Sequence, residues 1–243
     1  MSDRVARGLR KRLAAMSTTP HTAKRRAGMS LIEVLVVVAI IGVFATMAAP
    51  GIQQFVANQR VKSAARSVAD AFLLARAEAI RTGNAHIVFL SPGSPPATDP
   101  AGNGLGNDEN GNPWPAIVLN DGAPGAWNCR IDAADPRQQI PAQAGVSWGY
   151  ALSGGLAAPG DDSLLDPADG ATFAYQGNPV TWVLFRGDGI PLTFDAGCNL
   201  ATIGSGGGAV YVTNGSRDYA VVLSPLGAVR VHAYETGAGE WTD

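Results

Sequence analysis

The sequence predicts an α+β protein in which one long N-terminal helix packs on an antiparallel β-sheet or a small β-sandwich. Three observations predict this fold class. Residues 31–49 form an apolar run that contains a single charge, and an apolar stripe at helical spacing follows it. After Gly83 the chain breaks into short β-rich runs separated by turn residues. The 243 residues leave room for one globular domain beyond the helix.

Charge is distributed unevenly along the chain. The first 28 residues hold eight Lys or Arg and one acidic residue, whereas the chain from Asn84 onward holds five basic and sixteen acidic residues, a net of −11. Basic residues directly before an apolar span tend to remain on the cytoplasmic side of a membrane. We therefore expect a single-pass topology with the N-terminus in the cytoplasm and the acidic domain outside.

The apolar run from Leu31 to Ala49 has the length of a membrane span. Its nineteen residues would rise roughly 30 Å as a helix, which matches the hydrocarbon core of a bilayer. A secretory signal peptide also combines basic and apolar residues, but its apolar stretch is shorter and ends at a small-residue cleavage site. Here the helical pattern continues through Pro50, which favours a transmembrane segment over about residues 31–49.

The helix is predicted to continue beyond the span with an amphipathic pattern. Apolar residues recur at alternating spacings of four and three, while the charged residues Arg60, Lys62, Arg66, Asp70 and Glu78 fall elsewhere. Gly83 follows Arg81 and is a typical helix terminator, so the helix should run from about Ser30 to Thr82. The stripe, which we expect to pack on the domain, consists of Val61, Ala65, Val68, Phe72, Ala75 and Ala79.

Eight runs after Gly83 have the composition of strands, and turn chemistry joins the last five of them. Asp188-Gly189, Asn214-Gly215 and the sequence "SPLG" (224–227) are the turns. In the last strand Val229, Val231 and Ala233 should face one side, and Arg230, His232 and Tyr234 the other. The predicted strands are residues 85–90, 115–120, 145–152, 180–185, 191–194, 209–213, 219–223 and 228–234.

The residues "GMSLIEVLVVVAIIG" (28–42) resemble the N-terminus of type IV pilins and type II secretion pseudopilins. The resemblance implies that residues 1–28 are a prepilin leader, that prepilin peptidase cuts between Gly28 and Met29, and that Met29 is then N-methylated. It also implies that Gly42 and Pro50 are the glycine and the helix-bending proline of such helices. Translation from Met1 or from Met16 would give the same mature chain.

Glu33 is the fifth residue after the implied cleavage site, where the family has a glutamate. A lone carboxylate in an apolar span is costly, so it is expected to be paired or to mark a function. The resemblance implies that Glu33 pairs with the terminal amine of a neighbouring subunit and sets the register of assembly. The alternative is that Glu33 lies near the helix end and snorkels to the membrane surface.

Three blocks of the acidic domain are similar to the GspH/FimT branch of this family: "WPAIVLNDG", "VLFRGDGIP" and "YAVVLSPLGAVRV". This resemblance implies a pilin-like lollipop, with an N-terminal helix over 29–83 and a periplasmic head over 84–243. It implies an H-type minor pseudopilin at the tip of an inner-membrane pseudopilus, supporting protein secretion. The alternative is a FimT/FimU-like minor pilin of a type IV pilus. Implied partners are prepilin peptidase, other minor and major pilins or pseudopilins, and the inner membrane.

DNA binding is the alternative from another functional class. Some FimT-type minor pilins serve DNA uptake through a basic G-R-x-R motif, and this chain has "GAVR", in which Arg230 is retained and Ala228 replaces the first arginine. Phosphate contacts dominate affinity for nucleic acids, and a domain of net charge −11 is poorly suited to make them. Nucleic acid is therefore not expected as a partner.

Cys129 and Cys198 both follow the span, on the side assigned as oxidising. Two cysteines there predict one structural disulfide, worth about 4 kcal/mol in the chain-entropy model. The loop 101–115 is rich in Gly and Asn, and its Asp108, Glu109 and Asn110 lack the alternating spacing of a calcium-binding loop, so a solvated turn is expected and no metal.

Catalysis and cofactors are not expected either. "GVSWG" (145–149) fits G-x-S-x-G, but that motif needs a strand, a sharp turn and a helix, and the residues after Ser147 continue as a strand. The three histidines are scattered and form no zinc motif.

Overall fold

The structure is a computed structural model that describes residues 29–93, 97–109, 111–123 and 126–242, except the side chains of 47–50. The leader assigned to residues 1–28 lies outside the described residues. The described residues fall into two units, which divide between Ala49 and Pro50.

Helix α1 runs from Leu31 to Thr82, as the sequence predicts. Its first hydrogen bond is donated by the Val34 amide to the Ser30 carbonyl (3.2 Å), and its last turn is closed by Gly83, whose amide donates to the Ala79 carbonyl (2.9 Å). Gly83 has a φ of 72°, a left-handed conformation that glycine adopts without steric cost. Glycine at this position therefore ends the helix.

No single helix among the described residues meets both the length and the hydropathy needed to cross a membrane. The segments Leu31–Thr46 and Gly51–Thr82, taken together as a bent pair, could meet them by length and composition.

The second unit contains two five-stranded antiparallel sheets and a short hairpin. The first sheet has the order β3-β2-β1-β7-β8, the second has the order β12-β11-β10-β9-β4, and β5 pairs with β6. The α+β class is thus confirmed. The strands are β1 (His86–Leu90), β2 (Ala116–Asn120), β3 (Arg137–Ile140), β4 (Ser147–Trp148), β5 (Ala174–Tyr175), β6 (Asn178–Pro179), β7 (Trp182–Phe185), β8 (Pro191–Leu192), β9 (Gly208–Thr213), β10 (Asp218–Leu223), β11 (Val229–Glu235) and β12 (Glu240–Thr242).

The last five predicted strands divide between the two sheets, with β7 and β8 in the first and β9, β10 and β11 in the second. One feature of the predicted strand pattern was wrong. The strand predicted over 145–152 shortens to Ser147–Trp148. It ends because Gly149 turns at a φ of 91° and the carboxylate of Asp218 accepts the amides of the next residues, 151–153, at 2.7–3.1 Å.

The helix and both sheets share one hydrophobic core. The predicted stripe on α1 is buried, with every member at most 3% exposed, while Arg60, Lys62, Arg66 and Asp70 are exposed as predicted. Against this stripe pack one face of the first sheet, with Val88 as an example, and one face of the second, with Val221 as an example. The second half of α1 is therefore the common support of the two sheets.

The outer face of each sheet is covered as well. Side chains of β1, β2 and β7 that point away from the helix form a second cluster with residues from the loops, among them Cys129 and Phe194. On the second sheet Tyr211 and Trp241 contribute to a third cluster, and Tyr234 packs against it. In β11 Val229 and Val231 pack on the shared core, so the predicted division of this strand into two sides holds for its valines and Tyr234.

Phe72 lies at the centre of the shared core. Its side chain is fully buried, and its ring lies 5.8 Å from that of Phe173 and 6.5 Å from that of Phe185. Phe173 in turn lies against the backbone of β9 at Gly208, where a Cβ would come within 2.7 Å of the Phe173 ring. Glycine at 208 thus lets an aromatic ring close the core against the second sheet.

Phe72→Ala should lower the free energy of unfolding by about 3–5 kcal/mol, because truncation leaves a cavity that the helix and two sheets cannot close together. Leu73→Ala is the matched control, since Leu73 is the next helix residue and is 48% exposed; we expect a change within about 0.5 kcal/mol. Denaturant unfolding of the full chain in detergent measures both. Equal destabilisation by the two variants would contradict the central role of Phe72.

Candidate assembly site

The first part of helix α1 presents an apolar surface on all its sides. Every side chain described from Leu31 to Thr46 is exposed. A helix that is apolar all round is normally buried in a membrane or in a protein core. Lipid or partner subunits are therefore needed to cover this surface. Its large members are Leu31, Ile32, Val34, Leu35, Val36, Val37, Val38, Ile40, Ile41, Val43 and Phe44.

Glu33 is the one ionisable side chain on this surface, and it lies in the first turn of α1. The unpaired amides and the dipole of a helix N-terminus stabilise a negative charge there. Within the part of the chain that the structure describes, Glu33 forms no ion pair, and Met29, four residues earlier, is 70% exposed. A carboxylate so placed is available to a cation from another molecule.

The other residues predicted from the N-terminal motif are less informative. Gly28 lies outside the described residues. Gly42 lies within α1, where a Cβ would meet no atom within 4 Å, so packing inside the chain does not require glycine there. Pro50 lies within the backbone of α1, and the helix bend assigned to Gly42 and Pro50 stays a prediction.

Arg230 is an exposed side chain of β11, opposite Val222 of β10. The preceding residues form the turn between these strands, in which the Ala228 amide donates to the Ser224 hydroxyl (2.9 Å) and the Gly227 carbonyl accepts from the Arg76 guanidinium (2.8 Å). The "GAVR" segment thus links the turn to helix α1. The motif places no second basic side chain beside Arg230.

Cys129 and Cys198 form a disulfide, with their Cα atoms 5.5 Å apart. The bond predicted from the cysteine count is therefore present. It joins the loop after β2 to the loop after β8, and Cys129 is fully buried in the cluster on the outer face of the first sheet. The disulfide fixes two loops that contain no strand at the point where they meet.

Three loops of the head share one turn that the sequence analysis missed. In each, an aspartate backbone amide donates to the carbonyl of an asparagine four residues later, and the aspartate carboxylate accepts from that asparagine in return. The segments are "DPAGN" (99–103), "DENGN" (108–112) and "DAGCN" (195–199). The repeated Asp-Asn spacing of four was the available signal, and one member of the third turn is Cys198.

The turn at Asp108 bears on the possible calcium loop. Its carboxylate accepts from the Asn112 amide (2.8 Å) and from the Asn112 side chain. The carboxylate thus serves its own turn. Asn110 lies outside the described residues, and among the residues described no group of His, Cys, Asp or Glu could hold a metal ion.

The G-x-S-x-G match has a different structure from a nucleophile elbow. Ser147 lies in β4 and pairs with Thr213 of β9. The residues from Gly149 to Gly155 that follow form a loop, where a nucleophile elbow requires a helix. His232, the candidate base, is only 2% exposed in β11. The pattern is therefore part of a sheet edge.

Two buried aspartates that hold the loops have pKa values displaced in opposite directions. Burial raises the pKa of Asp121 to about 6, although its carboxylate accepts the Cys129 amide at 2.8 Å, and the nearby Asp135 and Asp132 raise it further. Burial also opposes ionisation of Asp99, but hydrogen bonds from Ile131 and Asn103 outweigh it and lower the Asp99 pKa. The stability of the loop before the disulfide is therefore expected to depend on pH.

Asp121→Asn tests this sensitivity. In the folded protein Asp121 holds its proton up to about pH 6, whereas in the unfolded chain it releases the proton near pH 4. The contribution of this bound proton to the free energy of unfolding is therefore complete below about pH 4 and is lost as pH rises through 6. The free energy of unfolding of Asp121→Asn should therefore rise relative to wild type between pH 4 and 7. Denaturant midpoints measured across this range report the difference.

Asp99→Asn is the matched comparison for that experiment. Its lowered pKa means that wild type loses stability relative to the variant as pH falls below the unfolded-state value near 4. In a profile extended below pH 4 the difference should therefore change in the opposite direction. Parallel pH profiles for the two variants would contradict the assignment.

Comparison with known proteins bears mainly on the N-terminal segment. Residues 23–49 match the family model described as the prokaryotic N-terminal methylation motif, and the sequence has no significant match among curated proteins. A solved structure that aligns with the chain is the minor pseudopilin EpsH from the type 2 secretion system of Vibrio cholerae. Identity is 13%, 72% of this chain and 97% of EpsH are covered, and the TM-score is 0.36. Identity and TM-score at this level assign no function, whereas the match over 23–49 establishes that the chain carries a prokaryotic N-terminal methylation motif.

Proposed function

We propose that the protein is an H-type minor pseudopilin of a type II secretion system, a structural subunit near the pseudopilus tip that supports protein secretion. The observation that carries the proposal is the methylation motif over residues 23–49, which contains the first part of α1, where every described side chain from Leu31 to Thr46 is exposed. Such a helix has to be covered by lipid before assembly and by other subunits afterwards. No catalytic role and no cofactor are assigned.

The proposed location is the inner membrane, with one span, the N-terminus in the cytoplasm before processing, and the head in the periplasm. Eight basic residues before the span support this orientation. The disulfide supports it independently, because disulfides persist in oxidising compartments.

The proposed partners are prepilin peptidase and the other minor and major pseudopilins. Peptidase would cut after Gly28, and Glu33 would then pair with the N-methylated terminus of a neighbour. The exposure of Glu33 and its lack of an ion pair among the residues described support a partner from outside the chain.

The second candidate is a FimT/FimU-like minor pilin of a type IV pilus, because the same N-terminal motif serves both machines. Loss of secreted enzymes on deletion of the gene supports the secretion role, and loss of pili or of transformation supports the alternative. DNA uptake is disfavoured for the head, whose sixteen acidic residues exceed its five basic ones.

Processing is the first prediction from this proposal. Intact-mass and N-terminal analysis of the membrane-extracted protein should find N-methyl-Met29 as the first residue. Gly28→Ala, which enlarges the residue before the cut, is expected to leave most of the protein uncut. Recovery of an intact Gly28-Met29 bond in the mature wild-type pool would contradict the proposal.

Glu33→Ala tests whether the carboxylate takes part in subunit assembly or only in membrane anchoring. If Glu33 pairs with a neighbouring terminus, the variant should insert normally but lose crosslinks to partner subunits and lose secretion, because one charge is left uncompensated. Glu33→Asp should rescue only in part, since its carboxylate is one methylene shorter. Crosslinked co-purification and secretion are compared at equal membrane levels.

Asp70→Ala is the matched control, because Asp70 is an exposed acidic residue on the same helix and its loss changes the net charge by the same amount. Full crosslinking and secretion in Glu33→Ala would defeat the pairing model and leave Glu33 as a membrane anchor residue.

A further inference from the structure

A polar cleft of about 310 Å³ lies in the head, between helix α1 and two turns of the second sheet. Gln54 and Asn58 of α1 form one wall, Arg217 comes from the turn between β9 and β10, and Tyr234 and Glu235 come from the end of β11. The side-chain oxygen Oδ1 of Asn58 accepts from the side-chain amide Nδ2 of Asn214 (3.0 Å), which fixes one wall to the turn. The cleft is therefore built by groups far apart in sequence.

The charges of this cleft do not neutralise one another. Arg217 and Glu235 are both exposed, and in the described part of the chain neither forms an ion pair. A cation and an anion held in one cleft but apart from each other complement a ligand that carries both signs. Arginine binds phosphate oxygens with two parallel donors, while a carboxylate accepts from an ammonium group.

A large apolar side chain is exposed on the helix next to the cleft. Phe55 is 62% exposed and lies three residues before Asn58, so the two side chains are neighbours on the surface of α1. A ligand that joins a charged group to an apolar chain would therefore meet both kinds of surface. A phospholipid has this chemistry.

The position of the cleft along the chain fits a lipid, given the membrane span of the proposed function, on which this step rests. Gln54 follows Ala49, the last residue of the apolar run, by five residues, and five residues reach at most about 17 Å. Lipid headgroups occupy the layer directly outside the hydrocarbon core. The cleft is thus within reach of the headgroup layer.

We propose that the cleft binds the headgroup of a zwitterionic phospholipid, a phosphate diester followed by an ammonium group. Arg217 holds the phosphate, Glu235 accepts from the ammonium, and the Gln54 side chain can donate to a phosphate oxygen. Phosphatidylethanolamine is the best fit, because its primary ammonium has three N–H donors. Phosphatidylcholine has none, and phosphatidylglycerol has no cation for Glu235.

The test measures lipid retention by the full, purified chain in detergent. Native mass spectrometry with an equimolar mixture of dioleoyl phosphatidylethanolamine, phosphatidylcholine and phosphatidylglycerol should show one retained lipid, with phosphatidylethanolamine preferred over phosphatidylglycerol about tenfold, the size expected for a charge-assisted hydrogen bond. Arg217→Gln should weaken retention of all three lipids. Glu235→Gln should remove the preference and leave phosphatidylglycerol retained.

Arg130→Gln and Glu109→Gln are the controls, because both residues are exposed in loops of the head outside the cleft. They should retain lipids as wild type does. Equal retention of the three lipids by wild type, or an unchanged preference in Glu235→Gln, would overturn the proposal. Binding of water-soluble glycerophosphoethanolamine as tight as that of the lipid would replace the lipid with a soluble ligand. Since the readout is lipid binding alone, its failure is distinct from a failure of processing or assembly.

Discussion

The fold of the head depends on one buried helical stripe. Two sheets place one face each on the same side of α1, so a single row of side chains has to fill both interfaces. Five of the six stripe residues are Ala or Val, and Phe72 supplies bulk at the centre. Small residues let the strands approach the helix, and the large ring occupies the space where helix and sheets meet. A substitution in the stripe therefore alters the packing of both sheets.

A second contact between α1 and the sheets is polar. The Arg76 guanidinium donates to the Gly227 carbonyl (2.8 Å) in the turn of the second sheet, and a Cβ at Gly189, in the turn between β7 and β8, would come within 2.6 Å of Ile80. The last turns of the helix thus touch one turn from each sheet. Glycine is needed at 189 because its φ of 76° and the close helix both exclude a side chain.

The helix and the long central strands could be predicted from the sequence because buried residues recur there at a regular spacing. The stripe from Val61 to Ala79 repeats as a helix face, and strands such as β1 and β10 are rich in β-branched residues. β3 escaped prediction because its sequence, "RQQI", is polar and three of its four side chains are exposed. Its pairing with β2 is made by the backbone, which composition does not reveal.

The candidate sites were predictable to different degrees. The role of Glu33 and the cleavage position were inferred from local sequence, since the whole motif lies within some twenty-five residues, and both stay predictions. The cleft was not predictable, because Asn58, Arg217 and Glu235 come together only once the second sheet packs on the helix. β12 was not predicted either; it pairs with the end of β11 at Ala233, Tyr234 and Glu235, so β11 is not an edge strand of its sheet.

Several carboxylates of the head serve as internal acceptors. Asp99, Asp121, Asp161 and Asp218 are all less than a tenth exposed, and each accepts hydrogen bonds from backbone amides or hydroxyl groups of the loops. These four carboxylates hold long irregular segments in place by accepting their hydrogen bonds, as capping residues do at the ends of helices. Their charge remains, but burial keeps these carboxylates from direct contact with another subunit, so only the exposed charges can form ion pairs with it. A neighbouring subunit would distinguish this head by the placement of its remaining surface charges more than by their sum.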